Sequence, residues 1–126
     1  MKLWVDDVRR APEGYVHAYS VDVAKSVILF NEELARKLYS DINRFTLKGD
    51  FEMALKMESF LKQAIIELID VDHDAGDFTR FGGDYIKLLD WLEETGRNYP
   101  IHIHSMNPVG VENMRRIIRK NGWIEV

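Results

Sequence analysis

Three short apolar runs in this chain each end abruptly in residues able to carry chemistry, and no other feature constrains the fold as much. Lys2 to Val5 runs into Asp6 and Asp7, Ala64 to Val71 into Asp72-His73-Asp74, and Pro100 to Ile103 into His104 and Ser105. Apolar runs of this length bounded by turn formers suit strands buried on both faces, as in a parallel sheet. Tyr15 to Tyr19 is expected to form a further strand, and Trp123 to Val126 the last one.

Between the runs the apolar spacing is helical. Ser20 offers a cap before Val23, Ala24, Val27 and Ile28. Leu34, Leu38, Ile42 and Phe45 form one stripe and Phe51, Ala54, Leu55 and Leu61 another, with Lys48-Gly49-Asp50 as the break. These predict an inserted antiparallel helical hairpin over about residues 31–62. Helices are also expected around Tyr85, Leu88, Leu89 and Leu92, closing at Gly96, and from about Val111 with Met114, Ile117 and Ile118 inward. Strands alternating with helices imply a mostly parallel α/β sheet covered on both faces, with ligands outside the carboxyl ends of the strands.

Composition narrows the function classes. With 126 residues a single domain spanning 1–126 is expected. Twenty-one acidic against seventeen basic residues, net −4, argue against duplex DNA as a partner. The absence of cysteine excludes disulfides, thiolate metal sites and a cysteine nucleophile. No apolar run approaches the ~20 residues of a membrane span, and the amino terminus lacks a secretion core. The expectation is a cytoplasmic chain without leader or membrane partner.

The acidic pair after the first strand, an aspartate after a central strand and a small hydroxyl residue after the next resemble a response-regulator receiver. That resemblance implies a doubly wound, flavodoxin-like sheet with Asp6 and Asp7 as a metal pair, Asp72 as phosphoacceptor, and Ser105 as the hydroxyl beside it. Two departures stand out: no lysine occupies the segment Gly122 to Val126, and only Val8 to Gly14 separates Asp7 from the second strand. The strings Leu-Trp-Val-Asp-Asp-Val-Arg, Asp-His-Asp-Ala-Gly-Asp, Gly-Gly-Asp-Tyr and His-Ser-Met-Asn-Pro-Val-Gly resemble a narrower family, the cyclic-phosphate-processing receiver-like domains. Membership would imply a scaffold whose added histidines adapt the acidic site to RNA ends or cyclic nucleotides. Residues 50–58 also resemble the helical-hairpin motif by which nucleotide-excision-repair subunits contact each other, which suggests a protein partner or self-association through the hairpin.

The chemistry follows from residue type. Gathered carboxylates repel unless a cation neutralises them, so Asp6, Asp7 and Asp72 are the expected ligands of a divalent metal, magnesium or manganese. The plainer alternative is a set of solvated strand ends, and Asp74 and Asp77 are read as turn or outer residues. His73 and His104 come from neighbouring strand tips, where one imidazole can take a proton from water while the other donates to a leaving oxygen. Arg9, Ser105, Asn107 and Gly110 are the expected phosphate contacts, Arg9 through its planar fork and Gly110 through backbone N–H groups at a helix start. His102, His17 and Tyr85 are read as structural. The leading expectation is a metal-dependent phosphoesterase or binder of cyclic phosphates. A phosphoacceptor signalling module and a ligand-sequestering or adaptor protein remain the alternatives.

Overall fold

The computed structural model describes residues 1–126. Strands β1 (Lys2–Val5), β2 (Tyr15–Ala18), β3 (Leu68–Val71) and β4 (Ile101–Ile103) form one parallel sheet in the order β2-β1-β3-β4. Four helices accompany them: α1 (Val21–Leu47), α2 (Phe51–Ala64), α3 (Ile86–Glu94) and α4 (Pro108–Asn121). A 3-10 helix, Gly76–Phe81, lies between β3 and α3. None of the helices is long and apolar enough to cross a membrane.

Local capping sets the helix starts. The Ser20 hydroxyl accepts the Val23 N–H of α1, the Asp50 carboxylate that of Met53 in α2, and the Asn107 side chain that of Gly110 in α4, where Pro108 opens the helix. The break expected near residue 31 is absent, because α1 runs unbroken from Val21 to Leu47. It packs on α2 around Leu38, Leu61 and Ala64. Ala64 therefore ends a helix, and the third strand starts only at Leu68.

Alternate strand residues point to opposite faces of a sheet. Leu3 and Val5, Ile69 and Val71, and Ile101 share one face, fully buried in a single cluster with residues of three helices. α1 contributes Val21, Ala24 and Ile28, α3 contributes Leu88, Leu89 and Leu92, and α4 contributes Met114 and Ile118. On the other face Trp4 lies in register with His17 and Asp70, and Asp70 with His102, all outside that cluster.

The expectation of helices on both faces is thus corrected. β1 and β2 are joined by residues 6–14 without a helix, and no helix follows α4. The 6–14 loop covers part of the second face instead: its Arg9 carbonyl accepts the Trp4 indole N–H at 3.0 Å. The expected last strand is likewise reduced to a bridge between Glu125 and Ile101.

A polar clamp fixes α1 to the segment before β4. The single Arg97 Nε–H is shared between both Glu32 oxygens at 3.0 Å, and Glu32 also accepts Arg97 Nη2 at 2.8 Å and the Tyr99 hydroxyl at 2.5 Å. Burial opposes ionisation of Glu32, but Arg97 and Tyr99 outweigh it and hold the carboxyl below its usual range. A carboxyl depressed by folding stabilises above its unfolded pKa and loses that contribution as pH falls through the folded value. Glu32→Gln is expected to cost about 1–2 kcal/mol at pH 7, discounted for partial exposure. Urea unfolding at pH 7 and pH 3.5 checks it, since the gap to wild type should narrow in acid; a constant gap would discard the charge explanation.

Candidate active site

The β1 and β3 ends meet at the carboxyl edge of the sheet, the side on which open α/β folds bind ligands. Asp72 N–H donates to the Val5 carbonyl at 2.9 Å, extending the ladder past both strands and drawing Asp72 toward Asp6 and Asp7. One carboxylate oxygen from each of the three lies within 4.8 Å of the others.

Asp6 is fully buried, yet both of its oxygens are satisfied. Oδ1 accepts the N–H groups of Val8 at 2.9 Å and Arg9 at 2.8 Å, and Oδ2 faces His104 Nε2 at 2.8 Å. Burial alone would raise the Asp6 pKa; the two backbone donors and His104 overcome it and hold the carboxyl below its ordinary value. Asp7 differs. Burial raises its pKa, and repulsion from Asp6, Asp72 and Asp74 adds to the rise. A hard cation relieves this kind of strain, and three carboxylate oxygens are the donor type that a hard divalent cation takes.

His104 is clamped rather than free. Nε2 bonds Asp6, Nδ1 bonds Asp70 Oδ1 at 2.5 Å, and the ring stacks on the Trp4 indole at 3.8 Å and 6°. Burial disfavours its charged form, but Asp70 and Asp6 outweigh this and raise the pKa. Both ring nitrogens are therefore occupied, and the two carboxylates favour the charged form. Sequence reading cast it as a proton-transfer group; the geometry leaves it no open nitrogen for a substrate.

His73 keeps one. Its Nδ1 pairs with Asp74 Oδ1 at 2.8 Å, while Nε2 has no protein partner. The ring lies against α4 where only glycine fits, since a Cβ added to Gly110 would meet ring carbons at 2.4 Å. That close approach is the observable role of Gly110. Its N–H, the group expected to contact phosphate, donates to Asn107 Oδ1 at 3.0 Å.

Asn107 is likewise engaged, as the α4 cap, with Nδ2 3.5 Å from Asp74 Oδ2. Ser105 Oγ accepts the Asn107 N–H at 3.1 Å and retains its own proton to donate. Arg9 is exposed, and its Nη1 donates to the His104 carbonyl at 2.7 Å. It pairs with neither Glu13 nor Asp77.

Two members of the site escaped the sequence reading. Asp70, buried within β3, was not singled out; a lone aspartate between Ile69 and Val71 is the signal that marks it. His17, expected to be structural but not tied to the site, donates Nε2–H to the Asp6 carbonyl at 2.8 Å and so holds the acidic turn from behind.

Residues 1–120 match the family described as cyclic-phosphate processing receiver domain. No curated protein and no solved structure matches the chain.

Proposed function

This chain belongs to the family of cyclic-phosphate processing receiver domains, and we propose that it is a divalent-metal-dependent phosphodiesterase opening cyclic phosphates, on RNA 2',3'-cyclic ends or cyclic nucleotides. One observation carries the proposal. Three carboxylates from two strand ends converge beside a histidine with one open nitrogen.

Asp6, Asp7 and Asp72 would hold magnesium or manganese, which when bound would neutralise charge on the phosphate oxygens. Arg9 and the Ser105 hydroxyl donate to non-bridging oxygens and orient the ring. His73 Nε2 takes a proton from water as the water oxygen bonds to phosphorus. One ring P–O bond breaks, the departing oxygen takes a proton from solvent water, His73 returns its own proton to solvent, and the product is a phosphomonoester with a free hydroxyl. His104 positions Asp6 instead of transferring protons.

The test is phosphorus NMR of a panel of 2',3'- and 3',5'-cyclic nucleotides with magnesium or manganese, against a chelated control. Cation-dependent ring opening of at least one member is expected. A panel left intact rejects the phosphodiesterase, and recovery of bound ligand unchanged would identify a sequestering protein.

Asp7→Asn separates the cation's role from the fold. Relief of repulsion should stabilise the metal-free protein by about 0.5–1 kcal/mol, the scale of part-exposed charge interactions. Wild type should gain about 2.7 kcal/mol at a cation concentration 100 times its Kd, and the variant much less at that concentration. Thermal unfolding with and without manganese reads both; equal gains would remove Asp7 from the cation site.

A further inference from the structure

The geometry points to a nucleobase subsite in the cleft formed by Tyr19, Val23, Phe78 and Phe81, so that the substrate is a nucleoside cyclic phosphate, with guanine favoured. This rests on the phosphate-binding role proposed for the acidic cluster and adds what recognises the rest of the molecule. The cleft measures about 310 Å³ and also includes Ser20 and Asp22. That is the lower end of the range for small-molecule sites. Tyr19, Val23 and Phe81 are each more than 40% exposed, an apolar grouping that the core does not use.

Two chains of contacts link the cleft's residues to the acidic cluster. Gly76, which opens the 3-10 helix carrying Phe78 and Phe81, touches Asp7: an added Cβ would lie 2.3 Å from Oδ2. At about 2 Å rise per residue, Phe78 stands about 4 Å and Phe81 about 10 Å along that helix from the contact. On the other side Tyr19 stacks on His17 at 3.9 Å, and His17 bonds the Asp6 carbonyl. The Tyr19 backbone is held in turn by the Tyr85 hydroxyl at 2.8 Å.

Tyr19 and Phe78 lie 5.6 Å apart at 37°, a separation of rings in mutual contact. A base therefore lies across their exposed surfaces and against Val23, not between them. Arg80 covers a face of Phe81 at 4.8 Å and adds positive charge near the cleft.

Asp22 supplies the selectivity. Its exposed carboxylate has no hydrogen-bond or ion-pair partner, and it leans toward the 3-10 helix, where a Cβ on Gly82 would come within 2.8 Å of Oδ1. A carboxylate only accepts hydrogen bonds. Guanine offers two adjacent donors, its ring N–H and exocyclic amino group, which match the two oxygens.

Calorimetric titration of guanosine 2',3'-cyclic phosphate and of abasic methyl riboside 2,3-cyclic phosphate tests the subsite, with wild type, Asp22→Asn and Phe81→Ala. Wild type should bind the nucleotide about tenfold more tightly than the abasic ring, the scale of one stacked base. Each variant should shrink that ratio and leave abasic affinity unchanged. Equal wild-type affinities, or variants that weaken both ligands alike, overturn the subsite. Guanosine without phosphate, at millimolar concentration, should shift the Tyr19, Phe78 and Phe81 ring signals in NMR. Absence of those shifts also overturns it; their presence when neither cyclic phosphate binds would retain the subsite and reject the phosphate reading.

Discussion

His104→Ala is expected to lower the unfolding free energy by about 3–5 kcal/mol, the usual cost of removing one partner from a buried charge network. The side chains of Asp6, Asp70 and His104 are 1%, 9% and 12% exposed, so water does little to replace the lost ring. Asp6 retains the N–H groups of Val8 and Arg9, but Asp70 loses its partner altogether. Trp4 also loses the ring stacked on it, leaving a gap under the 6–14 loop. Asp70→Asn should cost less, because an amide oxygen still accepts a hydrogen bond from Nδ1. Urea unfolding of both variants checks the order. A loss below 1 kcal/mol in His104→Ala would mean that the clamp contributes little and that His104 is free for another role.

His73→Ala is expected to slow ring opening by about 10²–10⁴-fold, the range for a positioned general base. The ring is 15% exposed and bonded to one carboxylate through Nδ1, so its loss should cost less stability than that of the doubly clamped His104. Gly110→Ala sharpens the test. Alanine favours a helix over glycine by about 1 kcal/mol, yet its Cβ would collide with the His73 ring. Turnover should therefore fall while the intrinsic preference of α4 improves, a separation that a purely structural histidine would not produce. Steady-state rates from phosphorus NMR with manganese provide the readout, and less than a fivefold loss in His73→Ala would assign the proton transfer elsewhere.

The starts of α1 and α2 were legible because caps act over three residues, Ser20 and Asp50 each bonding a nearby N–H; α4 begins at Pro108, not near Val111, with Asn107 as its cap. The acidic ends of β1 and β3 were legible for a similar reason. A strand that stops in carboxylates must stop where solvent or a cation meets it. The length of α1 was harder, since an amphipathic stripe does not distinguish one long helix from two consecutive ones.

Asp70 and His104 show what lay beyond the sequence. Thirty-four positions separate these two, and ninety-eight separate His104 from Asp6, so only sheet register and a shared face bring the three together. The approach of the His73 ring to Gly110 was also out of reach, because it joins two segments far apart in the chain. The one-sided helical layer was equally hidden, because periodicity says that a residue is covered but not by what. By itself the sequence determined the alternation of strands and helices, their caps and the acidic strand ends, all products of short-range preference. Tertiary structure alone decided which histidine keeps an open nitrogen, because that depends on which distant carboxylates the packed sheet brings within hydrogen-bond reach.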